Sequence, residues 1–310
     1  MISSFFGKTK PINYIVLSIF LFFFYFADRF LGLGVSEMGN SIFLNLLTFA
    51  TLLLMVFTIN QIVRSEKITD FNSYAILFFV LLLIGFAETF ADRNIIFANF
   101  FLLLAIWRLL AIKSIKNVKH KIFDASLLIG IASLFYDWAL AFLPLVFLVI
   151  NLYDRKAFKN WLVPFLALAT VFILVFTALR ISGSMGFLEE HYRFSIEPLT
   201  KFSLQKGINL KVFLYIILIL LATFIVFLRM RKVGGGKLLS LRIVFLTLIL
   251  GLLIGVFAPG ELFPLLFTFF PASIFLANYM EMIKKPKLKE MAFVLCIAVS
   301  LMLFAFQLNW

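Results

Sequence analysis

The sequence predicts an all-α, polytopic transmembrane helical bundle of about eleven spans, N-terminus inside and C-terminus outside. Three observations predict it. Of 310 residues, 64% are hydrophobic and 14% charged, with a mean hydropathy of +1.10, whereas a soluble domain carries about 25% charged residues. The apolar residues gather in long unbroken runs, which excludes the alternating strands of an outer-membrane barrel. The basic residues also alternate between loops, rich on one side and sparse on the other, as in cytoplasmic and external loops.

Composition removes several function classes. The net charge of +13 is explained by cytoplasmic basic loops, so it does not point to nucleic acid. Cys296 is the single cysteine, so neither an internal disulfide nor a thiolate-held iron–sulfur cluster can form. His120 and His191, the two histidines, cannot supply a haem pair or a four-histidine iron site. The chain is therefore not read as an oxidoreductase. No nucleotide or flavin site is read either: Gly234-Gly235-Gly236-Lys237 lacks the spacing of a phosphate loop and no strand precedes it. The 43 phenylalanines fit the codon bias of an AT-rich genome.

The eleven apolar segments are 12–27, 41–63, 73–88, 95–112, 122–135, 139–152, 161–181, 212–228, 243–258, 262–280 and 291–308. Lys8 and Lys10 precede the first, and no small-residue cleavage site follows it, so it reads as an uncleaved span. The stretch 122–152 as one helix would be ~47 Å long, against a ~30 Å hydrocarbon core. Lysines at 113, 116, 119 and 121 precede it and Arg155, Lys156 and Lys159 follow it, so both ends are cytoplasmic and the segment turns back. It reads as a short-helix hairpin with Tyr136-Asp137-Trp138 at its tip. With this topology, twenty basic residues lie inside and seven outside, and Arg108, within the fourth span, snorkels inward. Asn99 and Asn278 read as interhelical hydrogen-bond donors.

Three regions follow. Residues 1–228 form an N-terminal module of about eight spans, with an outer segment 182–211 of short amphipathic helices. Residues 229–242 form a cytoplasmic hinge, and 243–310 a C-terminal three-span module.

Acids run opposite to the basic residues: nine of fifteen fall on the outer side. Acids have little influence on orientation, so this asymmetry is a functional hint. Phe-Ala-Asp-Arg occurs at 26–29 and 90–93, and each copy reads as ending a span at the outer face, with Asp137 in an equivalent place. Asp28, Asp92 and Asp137 are thus the candidate catalytic carboxylates, suited to general acid–base work. Arg29, Arg93 and Arg193 are candidate phosphate ligands, because a guanidinium fork matches phosphate oxygens. Glu88, one turn before Asp92 on the same helical face, joins Asp92 and His191 as a candidate site for a divalent cation. Against this stands the plainer reading, that Asp-Arg simply ends a helix among solvated headgroups.

MISSFFGKTKPINY at the start, the block KIFDASLLIGIASLFYDWALAFLPLVFLVINLYDRKAFKNWLVPFLALA and the Phe-rich spans resemble a family of uncharacterised inner-membrane proteins of Bacteroidota, over essentially the whole chain. That resemblance implies a location and no activity. A fainter resemblance is to lipid-phosphosugar glycosyltransferases of the GT-C class, which carry an acid after the first span and a second acidic motif in a later outer loop, where Asp28 and Asp92 stand. It implies transfer from a polyprenyl-phosphate carrier at the outer face, with Asp28 as base, Asp92 and Asp137 positioning acceptor or metal, and the three arginines holding phosphate. The chain departs from that pattern in its short outer segment 28–40 and its lack of a soluble C-terminal domain, which fits a degenerate member. The alternative is a non-catalytic accessory subunit of an envelope secretion, motility or transport complex. A transporter is disfavoured by the scarcity of charge deep in the spans.

Overall fold

The computed structural model describes residues 2–39, 42–192, 194, 210–230, 235–258 and 264–308. The described residues form helices joined by short turns, with no strand among them. In chain order the helices are α1 (Ile2–Phe5), α2 (Pro11–Gly39), α3 (Ile42–Glu66), α4 (Tyr74–Gly85), α5 (Arg93–Leu110), α6 (Val118–Ser133), α7 (Leu143–Tyr153), α8 (Phe158–Ser182), α9 (Gly186–His191), α10 (Leu210–Met230), α11 (Gly236–Phe257), α12 (Leu266–Met282) and α13 (Pro286–Leu308). Seven of them are long and apolar enough to cross a membrane: α2, α3, α5, α8, α10, α11 and α13. The chain is a multi-pass membrane protein in contact with lipid.

Eleven apolar runs therefore yield seven helices of spanning length, and the reason lies in packing. Helices α4 and α12, of 12 and 17 residues, are buried on nearly every face and lie against each other. A helix apolar all round that is enclosed by protein need not match the hydrocarbon thickness. Against this pair stand α2, α10 and α13, while α8 packs on α6 and α7, and each of these four has a broad exposed apolar face. The stretch 122–152 is two short helices, α6 and α7, joined through a 3₁₀ turn at Asp137–Phe142. Helices α12 and α13 pack on α4. Residues 231–234 of the expected hinge lie outside the described residues.

Polar contacts sort the helix ends into two sets. One set, the basic end, is tied together across the sequence. The Glu290 carboxylate accepts from the Ile2 and Ser3 amides at 2.5 and 3.0 Å and from Ser3 Oγ at 2.7 Å, docking α1 on α13. Glu281 accepts from Asn72 Nδ2 at 2.7 Å and from the Asp70 amide at 2.9 Å, with Lys237 Nζ at 3.6 Å. Glu66 and Lys113 pair at 2.9 Å. Asn278 donates to Ile68 O of the neighbouring turn, as expected, whereas Asn99 reaches only Met55 Sδ at 3.7 Å. Arg108 pairs with Asp124 at 3.3 Å, with both side chains well exposed. The other set, the acidic end, carries the candidate site.

Candidate site at the acidic end

The two Phe-Ala-Asp-Arg copies fold differently, one within a helix and one between two helices. The first lies inside α2, which continues through Gly39, there being no proline between Ala27 and Gly39 to break it. The second straddles a boundary. Helix α4 stops at Gly85, the chain makes a 3₁₀ turn at Ala87–Phe90, and Asp92 is the N-cap of α5. Its Oδ1 accepts from the Asn94 and Ile95 amides at 2.9 and 3.1 Å, satisfying two donors that a helix start leaves unpaired. Glu88 and Asp92 therefore do not share a helical face, though both line one cleft of about 20 Å³ beside Pro264 and Leu265.

The acids form a row: Asp28 beside Glu88, Glu88 and Asp92 on one cleft, and Asp92 and Asp137 about Tyr136. Asp28 lies within electrostatic reach of Glu88. Glu88 is held by Lys211, at 2.7 Å, and by Gln307 Nε2. Gln307 in turn accepts from the Ala87 amide through Oε1 at 3.2 Å, and Lys211 Nζ sits 4.7 Å from the centre of the Phe86 ring. This joins α10, α13 and the turn after α4. Asp92 and Asp137 flank Tyr136. Asp137, at the tip of the α6–α7 hairpin, accepts from the amide of the next residue, Trp138, at 2.8 Å.

His191 ends the six-residue α9. Its Nε2 meets Ser133 O at 2.7 Å, and Tyr192 Oη meets Ser133 Oγ at 3.0 Å, so α9 is pinned to the end of α6. Burial pushes the Tyr192 phenol up, with Asp137 adding to the rise against the Ser133 bond, so it stays a neutral hydroxyl. The candidate metal set Glu88, Asp92 and His191 is not brought together. Among the described residues no three His, Cys, Asp or Glu side chains gather in a metal-binding group. Arg193 and 195–209 lie outside the described residues.

The arginines behave otherwise. Arg29 and Arg93, one from each copy of the tetrapeptide, converge on Tyr25. Tyr25 is fully buried and donates to Asn45 O at 3.2 Å, while Arg93 Nη2 donates to Asn45 Oδ1 at 3.0 Å. The Arg29 guanidinium carbon lies 5.6 Å from the Tyr25 ring centre. Tyr25 and Asn45 were not singled out by the sequence. The available signal was a polar residue near each facing end of two consecutive apolar runs.

Two mostly apolar clefts also open here, of about 250 Å³ between α4, α10 and α13 below Lys211, and about 310 Å³ between α6 and α8 below Tyr192.

The chain belongs to a family of unknown function, DUF6427, whose model matches residues 7–309. No curated protein and no solved structure matches it.

Proposed function

We propose that the chain is a non-catalytic accessory subunit of a bacterial inner-membrane envelope complex. One observation carries this reading: three of the four candidate acids already serve the fold. Asp92 caps α5, Asp137 accepts from the Trp138 amide at the hairpin tip, and Glu88 joins α10 to α13. A general base needs a free carboxylate within hydrogen-bond reach of its substrate, and the cleft that Asp92 lines has room for about one water. The GT-C-like transferase reading requires Asp28, Asp92 and Asp137 to act on one substrate, and the bonds that Asp92 and Asp137 already accept from backbone amides count against it.

The topology we infer is eleven crossings, N-in and C-out. It is supported by the twenty-to-seven basic bias and by the sorting of polar contacts into two ends. A reporter fused after Trp310 is expected to be active only as a periplasmic enzyme.

Asp28→Asn separates the functional readings, because Asn keeps size and hydrogen bonding but cannot take up a proton. In a strain lacking the native gene, the accessory reading expects this variant to complement at wild-type level. A transferase base would cost about 10²–10⁴ in rate. Loss of complementation with wild-type expression and thermal stability would overturn the accessory reading.

A further inference from the structure

Arg29 is 5% exposed, and its Nε and Nη2 have no hydrogen-bond partner. No carboxylate among the described residues stands within ion-pairing distance of it. Asp28, the preceding residue, lies within its electrostatic reach but makes no ion pair with it, because consecutive helical residues project about 100° apart. A buried cation left with unsatisfied donors is costly wherever it occurs. Here a second, half-buried guanidinium adds to the cost, since Arg93 reaches the same Tyr25–Asn45 pair. Glu88, the nearby acid, is engaged by Lys211 and Gln307. What relieves such an arrangement is an anion with several acceptor oxygens, taken in bidentate fashion.

The level of the site says which anion. Asp28 and Arg29 are the first charged residues after the apolar run 12–27, the level at which lipid phosphates lie. The surface beside it is apolar: Phe30, Leu31 and Phe43 are exposed, so acyl chains can lie against α2 and α3 while the headgroup reaches the arginines.

We propose that Arg29 and Arg93 form a binding site for the phosphate of an anionic phospholipid, with Tyr25 and Asn45 fixing the two guanidiniums. This stands independently of the accessory reading. An empty site strains the fold and a filled one relieves it, so ligand and stability are linked.

The test uses the full chain, delipidated in a neutral maltoside detergent, with thermal unfolding followed by tryptophan fluorescence. Arg29→Met removes the charge and keeps the bulk. It is expected to unfold at or above the wild-type temperature without lipid. Phosphatidylglycerol at about a hundred times its Kd is expected to raise the wild-type Tm by about 5 °C or more, and to leave Arg29→Met unmoved. Arg93→Gln is expected to weaken phosphatidylglycerol binding at least about tenfold, the loss of one charge-assisted donor pair. Inorganic phosphate is the second probe. A shift with phosphatidylglycerol and none with millimolar phosphate assigns the site to a lipid headgroup, and a full shift with phosphate alone assigns it to a soluble phosphate. The proposal is overturned if Arg29→Met is less stable than wild type without lipid, or if phosphatidylglycerol stabilises variant and wild type equally.

Discussion

The two ends of the bundle handle charge in opposite ways. At the basic end two acids are buried and paired: Glu66 and Glu281 are 7% and 8% exposed, and each meets a lysine. Contacts at this end span most of the chain, joining Ile2 to Glu290 and Asn72 to Glu281. At the acidic end Asp92 and Asp137 bond to amides within three residues of themselves, and the deeply buried charge is an arginine with two unpartnered nitrogens. One end is closed by its own residues. The other holds cationic donors that its own described residues do not fill, which is where a ligand belongs.

The sharpest way to break this contrast is at Glu281. Removing its carboxylate takes the acceptor from Asn72 Nδ2 and the Asp70 amide and leaves Lys237 with Asp70 alone, at 3.5 Å. Breaking a buried pair from one side typically costs 3–5 kcal/mol, so Glu281→Ala is expected to destabilise by about 3 kcal/mol. Glu281→Gln keeps acceptor oxygen for Asn72 and is expected to cost about half as much. Unfolding midpoints of the three proteins in one detergent decide it. A cost for Glu281→Ala below about 1 kcal/mol would show that the basic end is not closed by this carboxylate.

Much of this contrast was hidden in the sequence, for a physical reason. In water a helix shows its core as an apolar stripe, but in lipid both faces are apolar, so periodicity does not separate them. The runs that became buried α4 and lipid-facing α13 read alike as apolar segments. Helix type, the α6–α7 turn at Asp137 and the grouping of basic loops were legible, because they depend on run length and on charge. The convergence of Arg29 and Arg93 was legible only as a repeated tetrapeptide. Its two copies adopt different local structures, so repetition predicted a shared role and the wrong geometry. Asp92 as a cap was hidden too, because it read as the end of the preceding span, on one face with Glu88, and not as the start of the next helix.

Close packing near the acidic end offers a second, smaller comparison. A Cβ on Gly251 of α11 would stand 3.2 Å from the Phe267 backbone carbonyl and 3.1 Å from Thr268 Cγ2. Backbone cannot turn aside, so Gly251→Ala is expected to force α11 and α12 apart at a cost of about 1–3 kcal/mol. On α6, a Cβ on Gly130 would meet only the side chains of Val171 and Leu168, from 3.1 Å. Those can shift, and alanine gains about 1 kcal/mol of helix propensity over glycine, so Gly130→Ala is expected to be nearly neutral. Equal losses for the two would mean that the α11–α12 approach is no tighter than the α6–α8 one.

The smallest effect expected is the most informative about the candidate acids. Asp92 accepts from two amides at the start of α5, a role that Asn fills as well as Asp. Asp92→Ala is expected to lose about 1 kcal/mol, and Asp92→Asn to stay within about 0.3 kcal/mol of wild type. A carboxylate that moved protons or held a cation would show the reverse pattern in function: asparagine would fail as completely as alanine, because neither carries the charge. Stability and complementation measured on both variants therefore make a two-by-two comparison. If Asp92 acts as a cap, asparagine is silent in both assays and alanine fails only as far as its lost stability explains. If asparagine folds like wild type yet cannot complement, Asp92 carries chemistry, and the acidic end has to be read as a catalytic surface.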